Sequence, residues 1–362
     1  MNTNKTFDIA LGIFLFLSPI FFLPKSIPNI NALQFYQFGI LGDNGYNYLQ
    51  LQFFQYGIIV LFIVSLLSKP QREFKDKNSI ILFLLFCLSV YIHPISVKLF
   101  GNIFLGFFLY YLATVFTKNY KNVFKFIFAV SLLNTLFAVL QFFNINLIYR
   151  PTGRYDGLMC LSPHLGIYQA IALPICYALN PYLVIIPIIG ILLSKSITAT
   201  FIMLVWLLVT FRKKIIERGS VFFMLGVSLI GLFLFRNYYS IIEKLNIRFM
   251  VWIPTLKMIS QKFLWGYGIK PFRFESSIGL FENPCSIYLE MVYFLGIFAL
   301  IPLCLIIKNL FKSKDIILLS CAIIALLSGI EKSIMDYPRL AGTVICLLAF
   351  VNMKGETDVN TY

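Results

Sequence analysis

The chain has 362 residues, of which 59% are hydrophobic and 12% charged, and its formal net charge at pH 7 is +15. Soluble globular proteins carry about 25% charged residues, so this composition argues against a soluble enzyme. A disulfide scaffold, a coiled coil and low-complexity disorder are excluded as well, because apolar runs recur along the whole chain and only 7 residues are cysteine.

The apolar runs have the length of membrane-spanning helices. Such a helix needs roughly 20 predominantly apolar residues, and the first run is interpreted as an uncleaved span because no small-x-small cleavage motif follows it. The sequence predicts an all-α, polytopic membrane bundle of about twelve transmembrane helices that forms a single domain over 1–362. The predicted spans are 8–24, 51–68, 79–93, 99–117, 122–144, 164–179, 181–194, 198–211, 219–235, 285–307, 315–330 and 338–352.

Short basic tracts between the spans predict the orientation of the chain. Lysine and arginine cluster after spans two, four, eight and ten, for example at 69–72 and 212–214. Because cytoplasmic connections of membrane proteins are enriched in these residues, both termini are predicted to be cytoplasmic. The same rule explains most of the positive charge, so nucleic acid is not expected as a partner.

The longest connection, 236–284, lies between spans nine and ten and is basic although it is predicted to be external. It holds seven lysines and arginines against three glutamates. Long loops escape the orientation rule, so the topology is not overturned. Residues 245–262 are apolar enough to pack but are interrupted by Pro254, so we expect a short helix that lies over the bundle.

External arginines in two segments are candidates for binding a diphosphate, because guanidinium forms paired hydrogen bonds with phosphate oxygens. The first segment leads through Gly157 into a Pro163-His164 helix start, where backbone N–H groups can face an anion. In the second, Arg248 and Trp252 would share a helical face, with Lys257 about 180° round. Snorkelling at the lipid interface is the alternative for the loop cations. The candidate diphosphate ligands are Arg150, Arg154, Arg248 and Arg273.

Four stretches, in this order, resemble the O-antigen polymerase/ligase superfamily of membrane glycosyltransferases. The resemblance covers roughly residues 145–300. The stretches are Arg150-Pro-Thr-Gly153 with Pro163-His164-Leu-Gly166, then Leu193-Ser194-Lys195-Ser196, then Arg248-x-x-x-Trp252 with Gly266-x-Gly268-x-x-x-Phe272, and finally Cys285-Ser286-x-x-Leu289 with Gly296.

The resemblance implies a GT-C-like membrane enzyme that acts on undecaprenyl-diphosphate-linked oligosaccharide at the outer face of the bacterial cytoplasmic (inner) membrane. An O-antigen polymerase moves the saccharide en bloc to another lipid-linked acceptor, whereas a ligase moves the polymer to the lipid A–core of lipopolysaccharide. The ligase motif has histidine where this chain has Cys285, and a thiol with a reference pKa of about 8.5 is a poor base at neutral pH. The polymerase is therefore the preferred prediction, with membrane lipids and a chain-length regulator as further partners.

The expected chemistry needs arginines to stabilise the departing diphosphate and a base to take the acceptor proton. The candidate bases are Glu282, at the foot of span ten, and His164, while helix capping is the alternative role for Glu282. Trp252, Ser286 and Tyr288 are expected to support the site. With two histidines and no CxxC motif, no metal site or cofactor is predicted.

Two other classes compete with the transferase. A chain with about twelve spans can be a transporter or flippase, although transporters often show two related halves and this sequence has no convincing internal repeat. A non-catalytic partner of the polysaccharide machinery is the third class.

Labelling tests the predicted topology. In a variant whose native cysteines are replaced, Ser260→Cys should react with a membrane-impermeant maleimide added to intact cells, because 236–284 is predicted to be external. Lys121→Cys, in a predicted cytoplasmic connection, is the control and should react only after permeabilisation. Protection of position 260 in intact cells would refute the topology.

Overall fold

The structure, a computed structural model, is all-α apart from one short hairpin within the residues that it describes. These are residues 3–20, 45–92, 97–145, 155, 157–159, 162–217, 228, 231–232, 235–236, 238–268, 272, 274–276, 279–281, 286–301, 304, 307–308, 315–331 and 338–357. The helices, numbered in chain order, are α1 (Thr3–Ile20), α2 (Gly45–Leu66), α3 (Lys77–Ile92), α4 (Val97–Phe116), α5 (Tyr120–Phe142), α6 (Ser162–Leu179), α7 (Ile185–Ser194), α8 (Ile197–Glu217), α9 (Tyr238–Gln261), α10 (Ile287–Leu295), α11 (Ile316–Glu331) and α12 (Pro338–Thr357).

The hairpin follows α9 in the chain. Its strands, β1 (Phe274–Ser276) and β2 (Gly279–Phe281), pair antiparallel, with Glu275 opposite Leu280. Two single turns of 3-10 helix complete the described elements, one before α7 at Pro181–Val184 and one after α10 at Gly296–Ala299.

The helices begin and end close to the predicted apolar runs. For example, α5 covers 120–142 where the sequence predicts 122–144. The predicted span at 285–307 differs, because α10 ends at Leu295 and a 3-10 turn follows. The predicted span at 219–235 lies mostly outside the described residues.

The described helices are apolar, both in their sequences and on their exposed faces. One described helix, Tyr120–Phe142, is long and apolar enough to cross a membrane, and eight shorter apolar stretches of 10–17 residues accompany it in the described part of the chain. Large apolar side chains are exposed on outward faces, for example Leu66 at 68% and Val209 at 60%. The all-α class is confirmed, and the count of twelve spans stays a prediction.

Helix α6 lies at the centre of the bundle, where it packs against α5, α7, α8 and α11. Its residues Ile167, Ala170 and Ile171 are buried. Around this centre, α1 packs against α5 and α12, and α12 packs against α4. The core therefore joins helices from both ends of the sequence.

Polar side chains tie the three central helices together. Ser131 of α5 donates to the Oε1 atom of Gln169 of α6 at 2.5 Å, and Gln169 Nε2 donates back to the Ser131 carbonyl and to Thr135 Oγ1. The Thr135 hydroxyl in turn donates to the Ile186 carbonyl of α7 at 3.2 Å. Because a buried polar group without a partner is costly, this network fixes the register of α5, α6 and α7.

One end of the bundle collects the basic connections. Asp8 of α1 accepts hydrogen bonds from the backbone N–H groups of Lys118 and Asn119, at 2.9 and 3.0 Å. Tyr120 of α5 donates to Asp315, next to α11, at 2.8 Å. The connection before α3 joins this end through main-chain hydrogen bonds to the last turn of α4. Three connections that the sequence predicts to be cytoplasmic therefore lie together.

The buried network should be sensitive to the loss of one partner. Gln169→Leu removes the bonds to Ser131 and Thr135 and leaves buried hydroxyl groups, so we expect a loss of about 1–3 kcal/mol in the free energy of unfolding. Thermal or denaturant unfolding of the purified protein measures it. The triple variant Gln169→Leu, Ser131→Ala, Thr135→Val should recover part of the loss, because its apolar groups leave fewer orphaned partners; equal stability of the two variants would contradict this account.

Candidate functional site

The turn at Leu193–Ser196 lies directly against the start of α6. A Cβ atom at Gly166 would lie 2.6 Å from the Cβ of Ser196 and 2.9 Å from the Oγ of Ser194. Between these serines, Lys195 ends α7 in the left-handed conformation with φ of 51°. Two of the four stretches that carry the resemblance are therefore in direct contact.

Tyr155 joins the same contact from the connection between α5 and α6. The Lys195 ammonium nitrogen lies 5.4 Å from the centroid of the Tyr155 ring, within the range of a cation–π interaction. The ring also packs edge-on against Phe142, at 5.6 Å between centroids. Neither Tyr155 nor Lys195 stands out in the sequence, because a single tyrosine or lysine in a connection has no informative spacing.

Side chains of α5 anchor the connection just beyond Tyr155. The Gly157 N–H donates to Gln141 Oε1 at 3.0 Å, and the Leu158 N–H donates to Asn134 Oδ1 at 3.0 Å. Gln141 Nε2 also donates to the Gly157 carbonyl at 3.2 Å. Gly157 has φ of 59°, and a Cβ there would lie 2.7 Å from the Asn134 carbonyl oxygen, so the anchor requires glycine.

His164 lies in the first turn of α6, two residues before Gly166. Its side chain is 1% exposed. A base must come within hydrogen-bonding reach of the proton that it takes, and a side chain as deeply buried as His164 is less accessible to an acceptor hydroxyl.

Helix α9 presents the predicted arginine face to the bundle. It is longer than the helix expected within 245–262, and it continues through Pro254. Its packing against α10, through a buried stripe made of Val251, Thr255 and Ile259, stabilises it despite the proline.

Arg248 and Trp252 are half-buried beside this stripe, whereas Lys257 is exposed. The two faces of the helix therefore have the relation that the spacing predicts. Trp252 packs edge-on against Phe249, at 6.0 Å between ring centroids, and its buried indole nitrogen has no hydrogen-bond acceptor among the described residues. An aromatic ring with an unused donor thus lies one turn from Arg248.

A second pair of stretches meets at two glycines. Gly266 and Gly296 both have φ of 67°, and a Cβ on Gly296 would lie 2.1 Å from the Leu264 carbonyl oxygen. On the same side, Tyr267 stacks on Tyr293 with 4.9 Å between ring centroids. The turn after α9 is therefore packed, backbone against backbone, on the end of α10.

Hydrogen bonds also join the turn after α9 to the end of α10, and we call this contact the glycine crossing. Helix α10 stops at Leu295, so the carbonyls of its last turn lack helical partners. The N–H groups of Tyr267 and Gly268 donate to the carbonyls of Tyr293 and Phe294, at 2.7 and 3.0 Å. The turn thereby supplies the bonds that the break in the helix removes.

The start of α10 holds two predicted supporting residues and a buried acid. Ser286 is the N-cap residue and is buried, but its side chain makes no capping bond. Tyr288 donates to the Leu326 carbonyl of α11 at 2.8 Å, which gives it a structural contact. Glu290, in the first turn, is 9% exposed and is therefore a buried acid at the start of α10.

The remaining predicted residues lie outside the described part of the chain: Arg150, Arg154, Arg273, Glu282 and Cys285. Among the described residues, no group of three or more His, Cys, Asp or Glu side chains is arranged to hold a metal ion.

Comparison with known proteins gives no family assignment, since no family model matches the chain and a search of curated proteins finds no significant match. The superfamily resemblance therefore rests on the order and spacing of the four stretches.

The glycine crossing should tolerate no side chain. Gly296→Ala places a methyl group against the Leu264 carbonyl and forces an L-residue into φ of 67°, so we expect a loss of at least about 2 kcal/mol in stability or failure to fold. Gly101→Ala is the matched control, because a Cβ there meets nothing within 4 Å and the position is helical. Its expected change is neutral or a stabilisation of up to about 1 kcal/mol. The free energy of unfolding of both purified variants is the measurement. Equal stability of the two variants would contradict the close contact at Gly296.

Proposed function

We propose that the protein is a polytopic membrane glycosyltransferase of the O-antigen polymerase type. It transfers a saccharide en bloc from undecaprenyl diphosphate to the terminal hydroxyl of a second lipid-linked saccharide, at the outer face of the bacterial inner membrane. O-antigen ligase is the nearest alternative, with a different acceptor.

Composition and surface support the membrane part of the proposal. The mean hydropathy is +0.85, and large apolar side chains such as Ile63 of α2, at 53% exposure, cover outward faces of the helices. Contiguous apolar surface of this kind is a liability in water and is the normal exterior of a protein in lipid. The basic connections gathered around Asp8 and Asp315 agree with a cytoplasmic end.

One observation carries the transferase part: segments distant in sequence that share the resemblance pack against each other in pairs. Gly166 contacts Ser194 and Ser196, and Gly266 contacts Gly296. In each pair, a glycine lies where a Cβ would collide. These contacts support the proposal, because they bring together in space stretches of the resemblance that are separate in the sequence.

The proposed reaction breaks the bond between the sugar anomeric carbon and the diphosphate oxygen, which leaves with the electron pair. The acceptor hydroxyl oxygen forms the new glycosidic bond, and its proton passes to a base. Arg150, Arg154 and Arg248, with Arg273, hold the diphosphate and stabilise its charge. Glu282 is the preferred base; the burial of His164 makes it the weaker alternative.

A transporter is the second candidate, and the break in α10 is the observation that favours it. In transporters, broken helices leave backbone carbonyls for substrate or ion. Here the Tyr293 and Phe294 carbonyls accept hydrogen bonds from Tyr267 and Gly268. Because these carbonyls already accept hydrogen bonds within the chain, the break gives the transporter only weak support, and the transferase stays the preferred proposal.

Arg248→Ala should abolish polymer formation in a reconstituted assay. The purified protein in liposomes is given lipid-diphosphate-linked oligosaccharide, and products are resolved on a gel. Loss of a charge-stabilising group typically costs about 100-fold or more in rate, and Arg248→Lys should also be impaired because a point charge loses the paired geometry. Lys257→Ala, on the exposed face of the same helix, is the control and should keep full activity.

The outcomes of this assay separate the classes. Chain extension by the native protein with loss in the arginine variants supports the transferase. Uptake of the substrate into sealed vesicles without extension supports the transporter. Unchanged polymer length and yield in Arg248→Ala would remove this residue from the site.

Glu282→Gln should reduce transfer while leaving donor binding intact, because the amide keeps the shape of the carboxylate but cannot accept the proton. General-base catalysis is typically worth 10²–10⁴-fold, so we expect a fall in kcat of about that size with a small change in KM. Glu275→Gln, in the same predicted loop, is the control. Full activity of Glu282→Gln would move the assignment to His164 or Glu290.

A further inference from the structure

A cleft of about 180 Å³ opens between α3 and α4, near the end of the bundle that carries the basic connections. Its wall on α4 is a ladder of aromatic rings. Phe104 and Phe108 lie nearly parallel, at 14° and 6.3 Å, as do Phe108 and Tyr111, at 10° and 6.3 Å. Phe83 of α3 closes the other side, at 5.3 Å from Phe107. The cleft is therefore flat-walled and apolar.

The cleft is open to the surroundings of the bundle. Ile80, Phe104 and Tyr111, which line it, are 41%, 45% and 38% exposed. If the chain spans a membrane, as proposed above, these surfaces face hydrocarbon. In that case, lipid acyl chains would occupy the cleft.

Two exposed cations flank its basic end. Lys75 follows Phe74, which lines the cleft, and Lys77 lies one helical turn before Ile80 and on the same face of α3. Glu73 lies 3.4 Å from Lys75, but both side chains are largely exposed, so this pair is weak.

Asp76, the acid between the two lysines, already accepts hydrogen bonds within the chain. Asp76 caps α3 by accepting hydrogen bonds from the N–H groups of Asn78 and Ser79, and it accepts a third from the Tyr110 hydroxyl at 2.6 Å. These hydrogen bonds hold the carboxylate at the start of α3, where a negative charge is stabilised by the helix dipole. Along α3 the cation Lys77 is followed by the polar residues Asn78 and Ser79 and then by apolar residues, which is the order expected at a leaflet boundary.

We propose that this cleft binds part of one acyl chain of an anionic glycerophospholipid of the inner leaflet, with the headgroup phosphate on Lys75 and Lys77. The inference rests on the proposed membrane location but not on the transferase activity. The volume is below the roughly 300–1,000 Å³ of clefts that enclose whole drug-sized ligands, so only part of one chain enters. Charge complementarity selects an anionic headgroup.

Native mass spectrometry of the full chain tests the site. The protein, purified in mild detergent, is mixed with phosphatidylglycerol or with phosphatidylcholine of the same chains, and retained adducts are compared. We expect phosphatidylglycerol to be preferred. Lys75→Gln with Lys77→Gln should lower its retention by about fivefold for each cation, whereas Lys121→Gln with Lys125→Gln, at the start of α5, should not.

A cleft-filling variant tests the chain. Ile80→Trp should reduce retention of both lipids, and Ile81→Trp is the matched control, because Ile81 is its neighbour on α3, is similarly exposed and does not line the cleft. Unfolding midpoints of both variants establish that they are folded. Equal retention of the two lipids by the native protein, or equal behaviour of the two tryptophan variants, would overturn the proposal. If the protein is found in membranes but gives either of these two results, only the proposed lipid site is refuted. The proposed function does not depend on that site and stands.

Discussion

The constraint on which this structure depends is that every backbone N–H and C=O group inside an apolar bundle needs a partner. Helices meet this requirement internally, but α10 stops at Leu295 within its predicted span. Each unpaired group in such surroundings costs several kcal/mol. The turn at Tyr267 and Gly268 supplies the missing bonds, so the position of this turn, and of α9 before it, follows from the break.

The same requirement is met differently between α5 and α6. There the connection is not helical at Gly157 and Leu158, and Gln141 and Asn134 of α5 pair with its backbone. Amide side chains suit this role because each offers a donor and an acceptor. The described turns at 157–158 and 267–268 are thus held by hydrogen bonds, and a fixed turn lets neighbouring side chains approach a substrate without a large loss of conformational entropy.

How far the sequence predicts the fold depends on the range of the interaction. The apolar runs predict where α5 and α11 lie, and the 3.6-residue period predicts that Arg248 and Lys257 lie on opposite faces of α9, because both are local properties. The meeting of Gly266 with Gly296 is not predictable in this way, since spacing along a chain does not encode a tertiary partner. The break in α10 cannot be predicted from the sequence either, because a glycine in an apolar run also occurs in unbroken membrane helices.

The described carboxylates differ in what they can do in the proposed chemistry, because several of them already accept hydrogen bonds within the chain. Asp8 and Asp315 accept structural hydrogen bonds beside the basic connections, and Asp76 caps α3. Carboxylates bound in this way hold connections together and have little left to offer a substrate. Glu290 and Arg248 lie instead on α10 and α9, two helices that pack against each other. Because Glu290 is buried and Arg248 is half-buried, both side chains have surroundings of lower dielectric than water, in which charge stabilisation is stronger.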